Sequence, residues 1–236
     1  MKNGQFMSQS SENLRDNLFI QIPEWYIEKG YWGNLPLASK SIYPVILKHV
    51  NAQGYCFPSV FKIAQIAGVT EKTVGKGLKG LEGFPDFRKE KYMTRRGHTA
   101  YRYNFKPVAE EVKTISIKHG IFNGRNWSQL TPCAKAIYPV LQYFCWWNYD
   151  FYFEYEEIDY ENDDDSVSPE DPFPQRKYDF ISPENEYVAQ LAGISIRSTK
   201  SAYQSLSDNY LIVEDERMFE GRKTWRLFIQ PPQTFN

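Results

Sequence analysis

Three lysines, Lys72, Lys76 and Lys79, recur at spacings of four and three. On a helix that spacing places all three on one face. A row of ammonium groups there suits contact with duplex phosphates and base edges. Glu71 and Gly75 share the face, and Thr73 beside them counts as a candidate contact. A second basic group is Arg95-Arg96-Gly97-His98, where the glycine suits a hairpin turn. Arg197 and Lys200, then Arg222 and Lys223, form a weaker third set further along the chain. The bland alternatives are a solvated helix face for the lysines and a solvated turn for the tip.

The elements that must hold these residues follow from local signals. Ser39 to Val50 predicts a helix with Ile42, Val45, Ile46 and Val50 on one face and Pro44 near its start. Pro58-Ser59 opens a second, short helix carrying Val60, Ile63, Ala64 and Ala67. Gly68 suits its left-handed end. Thr70 then caps a third helix, with Val74, Leu78 and Leu81 on its buried side. Helix, glycine turn and capped helix make a helix-turn-helix, whose last helix enters the major groove. Gly75, Gly77 and Gly80 weaken that helix by roughly 1 kcal/mol each against alanine. They imply either fraying or close backbone approach. The alternation at Tyr101, Tyr103 and Phe105, together with Phe87 to Lys91, predicts a two-stranded wing with the arginines at its tip.

The chain also repeats itself. Leu35-Pro-Leu-Ala-Ser-Lys-Ser-Ile-Tyr-Pro-Val45 aligns with Leu130-Thr-Pro-Cys-Ala-Lys-Ala-Ile-Tyr-Pro-Val140, 95 residues on. Ile22 meets Ile117 and Trp32 meets Trp127 at the same offset. Ala64-Gln-Ile-Ala-Gly-Val69 aligns with Ala189-Gln-Leu-Ala-Gly-Ile194 at an offset of 125. Ordered matches with one interruption indicate two copies of one unit. In the second copy, helices are expected over Thr131–Trp146 and Pro183–Ala192. Gly193 makes the turn and Ser195 the cap, with Thr199, Tyr203 and Leu206 buried. Strands are expected at Leu211–Val213 and Thr224–Ile229. Its outward face holds Ile196, Arg197, Lys200, Ser201 and Gln204.

The expected fold is therefore mainly α with small β-hairpin wings (α+β), as two tandem winged-helix domains related by an internal repeat. A polar tail occupies 1–16, domain one 17–109 and domain two 112–233. The charged stretch Lys106 to Lys113 lies at the boundary, and an acidic insertion covers about 148–177. The paired tryptophans are read as core anchors rather than base-stacking platforms. The insertion, rich in Tyr and Phe, is either a loop or a partner-docking segment.

Charge separates the copies. Residues 1–120 hold 18 Lys and Arg against 10 Asp and Glu, and residues 121–236 hold 10 against 19. Ten of the later acids lie between Glu154 and Asp171. The basic half is the one expected to meet nucleic acid. Cys56, Cys133 and Cys145 form no Cys-x-x-Cys and read as reduced thiols of a cytoplasmic protein. No signal-peptide run or membrane-length apolar stretch is present. The spacing of His49, His98 and His119 supports no metal site, and no cofactor is expected. The nucleotide-binding, hydrolase and zinc-protease signatures are missing, so an enzyme is not expected.

Ile22-Pro23, Leu35 to Tyr43, Phe57-Pro58-Ser59 and Ile63 to Val74 together resemble the winged helix-turn-helix module of bacterial and phage DNA-binding proteins. The likeness is strongest over 17–105. It implies a sequence-specific protein of double-stranded DNA, acting in replication initiation or transcription regulation. The paired arrangement is similar to plasmid and phage replication initiators in architecture alone. The rival expectation is a protein-protein interaction module in which domain two and its acidic aromatic loop recruit a partner.

Overall fold

A computed structural model describes residues 19–228 apart from 95, 96, 98, 110, 124, 148–177, 220 and 221. The tail at 1–16 and the acidic insertion lie outside the described residues. The architecture is mixed helix and strand, with small antiparallel sheets.

The chain enters through β1 (Phe19–Pro23), whose Ile20 and Ile22 point inward while Phe19 and Gln21 are exposed. That period of two suits a strand buried on one face. Two single-turn helices follow, α1 (Trp25–Glu28) and α2 (Tyr31–Asn34), joined by Gly30 at φ +73°. Next comes α3 (Leu37–Leu47), which starts and ends earlier than the sequence pattern indicates. Pro44 lies in its interior, not near its start. One intrahelical hydrogen bond is lost there, and burial of Ile42, Tyr43, Val45 and Ile46 holds the helix regardless.

A short strand β2 (Tyr55–Cys56) leads to α4 (Val60–Ala67) and α5 (Glu71–Gly80). The hairpin of β3 (Phe87–Met93) and β4 (Thr99–Phe105) completes a sheet ordered β2-β4-β3. Phe87, Tyr103 and Phe105 turn into the core from it.

Residues 114–228 run through β5 (Thr114–Lys118), α6 (Gly120–Asn123), α7 (Asn126–Gln129) and α8 (Pro132–Trp147). Then come β6 (Tyr178–Ile181), α9 (Asn185–Ala192), α10 (Ile196–Asp208), β7 (Ile212–Phe219) and β8 (Arg222–Phe228). The last sheet is ordered β6-β8-β7. Proline again sits inside a helix, Pro139 in α8.

The two halves share one core. β1 and β5 pair antiparallel, with Ile20 opposite Ile117, Gln21 opposite Ser116 and Ile22 opposite Ile115. Helices α3 and α8 pack together. Trp32 and Trp127 are fully buried. The Trp32 indole donates to Ala136 O at 2.9 Å, and that of Trp127 to Ser41 O at 3.0 Å. Both indoles thus anchor the junction.

Candidate nucleic-acid interface

Helix α4 is capped by Ser59, whose hydroxyl accepts from Lys62 N. It ends at Gly68, at φ +62°. A left-handed residue there costs glycine little and satisfies the end of the helix. Thr70 restarts the chain as α5 by accepting from Thr73 N at 3.2 Å. The turn orients α5 so that Val74, Gly77 and Leu78 face inward.

Lys72, Lys76 and Lys79 are all exposed on the opposite side, with Glu71 and Gly75. Thr73 is half-buried, and its hydroxyl lies 2.9 Å from that of Thr70, which ties it into the cap. The open face can meet a polyanion through three cations without desolvating any buried group.

Two glycines explain how a weak helix former is held. A methyl group at Gly77 would stand 2.6 Å from Ile42 Cδ1 and 2.7 Å from Ala38 O. At Gly80 it would stand 2.3 Å from Ser39 Oγ. Close approach is therefore their role, and Ser39 Oγ donates to Gly77 O at 2.8 Å across the gap. Gly75 has open space around it and no such duty.

The wing candidates Arg95, Arg96 and His98 lie outside the described residues. Their supports, β3 and β4, pair from Phe87–Phe105 to Met93–Thr99, and Gly97 has φ +77°.

In the second half, Ser195 caps α10 by accepting from Ser198 N, and Gly193 has φ +62°. Arg197, Lys200, Ser201 and Gln204 are exposed, and Ile196 is 55% exposed. Thr199, Tyr203 and Leu206 are buried. α9 starts at Asn185 rather than Pro183. Arg222 and Lys223 fall within β8, opposite Phe219 and Met218.

Two lysines that sequence reasoning left aside bear on both sites. Lys40 and Lys135 have almost no exposure. Lys40 Nζ donates to Gly33 O at 3.0 Å and to Ala192 O at 2.7 Å. Lys135 Nζ donates to Ala67 O at 2.7 Å. Ala192 and Ala67 are the last residues of α9 and α4, where carbonyls lack partners and a cation is favoured. Each of the two glycine turns, at Gly68 and Gly193, is thus held by a lysine from the other half. Burial pushes both ammonium groups down to about 8. Their signal was in the chain, since both sit at one position of the repeated Lys-x-Ile-Tyr-Pro-Val block.

Other titratable groups here are structural. Burial, with Lys48 and Lys62 nearby, pushes the His49 imidazole down to about 4. Burial pushes the Cys56 thiol up to about 12, far from a reactive thiolate. Cys145 is also buried, while Cys133 is half-buried.

A glycine turn between two capped helices, the second with a lysine face, is a helix-turn-helix arrangement. A family model described as a helix-turn-helix domain matches residues 33–84, from the end of α2 through α5 to Phe84. That stretch is a DNA-binding type of domain. No curated protein and no solved structure matches the chain. Among the described residues, no helix is long and apolar enough to cross a membrane, and no cluster of His, Cys, Asp or Glu could hold a metal ion.

Proposed function

We propose that the chain is a sequence-specific binder of double-stranded DNA, serving replication initiation or transcription control, with no catalytic role. Two winged-helix domains, copies of one unit, would carry it. The observation behind this reading is the exposed Lys72–Lys76–Lys79 face of α5, directly after the Gly68 turn and inside the matched domain. Arg95, Arg96 and His98 would reach the backbone from the wing.

A second reading has a specific observation in its favour. The outer face of α10 exposes Ile196 where α5 carries Glu71, and holds two cations where α5 holds three. Apolar side chains on a surface suit a protein partner. In that case domain one holds DNA while domain two recruits.

Fluorescence anisotropy of the full chain on a random-sequence duplex, across salt concentrations, tests the DNA reading. With ~4–6 phosphate contacts, log K should fall against log salt with a slope of about −4 to −5. Absence of binding even at low salt overturns it.

A further inference from the structure

The contacts between the halves come in reciprocal pairs. Trp32 and Trp127 are equivalent at the 95-residue offset, and so are their acceptors, Ser41 and Ala136. Trp32 donates to Ala136 and Trp127 to Ser41. Lys40 corresponds to Lys135, and at the 125-residue offset Ala67 corresponds to Ala192. Lys40 donates to Ala192 and Lys135 to Ala67. The turn glycines obey the same rule: Gly68 packs on the backbone of Ser128, and Gly193 on that of Gly33. Gly33 and Ser128 are again equivalent positions.

The strand pair is stricter still. Gln21 lies opposite Ser116, its own equivalent, and the neighbouring pairs Ile20–Ile117 and Ile22–Ile115 exchange places about it. A contact of i with j that is matched by one of j with i is the signature of a two-fold axis. Four independent sets therefore place a local dyad through the Gln21–Ser116 pair. A head-to-tail arrangement of two units would produce none of these reciprocities.

The dyad extends to the DNA-facing helices. α4 with α5 packs on α3 as α9 with α10 packs on α8. Whatever direction α5 presents along the axis, α10 presents too. In two-fold helix-turn-helix dimers, protein symmetry is mirrored in operator symmetry.

We propose that the target is a duplex with two half-sites in opposite orientation, spanned by one chain and unequal in sequence. This rests on the reading that the chain binds duplex DNA through α5. Inversion follows from the dyad. Inequality follows from the two faces, which share no residue at corresponding positions. Glu71, Lys72, Gly75, Lys76 and Lys79 correspond to Ile196, Arg197, Lys200, Ser201 and Gln204. Arg197 suits bidentate contact with guanine, and Ile196 suits a thymine methyl. The Gln204 amide donates to Asp208 at 2.7 Å and would exchange that bond for adenine. The lysines of α5 suit guanine and phosphate.

Selection of bound duplexes from a random library with the full chain, followed by sequencing, is the test. The expected result is an imperfect inverted repeat, bound by one chain per duplex in light scattering. Reversing one half-site into a direct repeat should weaken binding at least about tenfold, since several base pairs are then mismatched. Arg197→Glu should erase the preference at one half-site and Lys76→Glu at the other. A direct repeat, a lone half-site bound equally well, or two chains per duplex would overturn the inference while leaving DNA binding intact. Failure to enrich any duplex would instead remove the reading beneath it.

Discussion

The two helices that follow the glycine turns, α5 and α10, are built alike and armed differently. Thr70 and Ser195 cap them in the same way, each with a hydroxyl bonded to the residue three positions on. Their buried sides correspond too: Val74, Leu78 and Leu81 against Thr199, Tyr203 and Leu206. The exposed sides diverge from lysines to a mixture of arginine, lysine, serine, glutamine and isoleucine. Packing constrains the inner face through shared neighbours, whereas the outer face is constrained only by what it touches. The shared parts hold the framework, and the differing parts are the outer faces on which the proposed recognition rests.

The comparison can first be strained at the junction. Trp32→Ala and Trp127→Ala should each cost about 3–5 kcal/mol, because each deletes a fully buried indole and strands a carbonyl. Chemical denaturation followed by intrinsic fluorescence and circular dichroism should show similar losses and a single transition for both variants. Unequal losses, or two separate transitions, would break the equivalence of the halves.

Charge reversal on the outer faces comes next. Lys76→Glu should weaken binding to duplex by about tenfold, ~1.4 kcal/mol, and reduce the salt slope by about 1. Arg197→Glu should match it in anisotropy titrations if both halves hold DNA. An unaffected Arg197→Glu would move the second half to the partner-docking reading.

The glycines sharpen the inner faces. Gly77→Ala should destabilise by about 1–3 kcal/mol through overpacking on Ile42 and Ala38. Gly75→Ala should stabilise by roughly 1 kcal/mol, as open space surrounds an exposed helical position. The second half carries Ala202 where the first has Gly77, and Ala202 is buried. Thermal melts of the two variants decide the sign.

The smallest effect is on pH. Lys40 and Lys135 have folded values near 8, below the ordinary 10.5. Between those values the unfolded chain binds more protons, so their contribution to stability rises with pH from about 8 toward 10. From about 9 the buried Cys56 thiol, and above about 10 the buried tyrosines Tyr26 and Tyr43, all raised by burial, act in the opposite sense, one thiol against two lysines below 10. Melting temperatures from pH 8 to 10 should rise for the parent chain and flatten for the double variant Lys40→Met with Lys135→Met. An identical slope in both would refute the assignment.

Caps, turns and helix faces were legible locally. Ser59 and Thr70 precede apolar periodicities, Gly68 and Gly193 follow them, and each position behaves as its chemistry requires. Pro44 was misplaced because helix ends depend on neighbours: burial of Tyr43 and Val45 carries α3 through a proline that an isolated peptide would not tolerate. β1 and β5 escaped notice because five-residue strands such as Thr114–Lys118 signal weakly until their partner is known.

By itself the sequence determined the caps, the glycine turns and the helix faces, the lysine face of α5 among them, since all of these rest on neighbours within a turn or two of chain. Only the tertiary structure decided that the halves lock about a shared dyad. It also decided that Lys40 and Lys135 are buried clamps rather than surface cations, and that Gly77 and Gly80 serve close approach. A lysine's role depends on whether a helix end with unpartnered carbonyls stands within reach. Lys40 and Ala192 come together only when residues 152 positions apart are folded against each other.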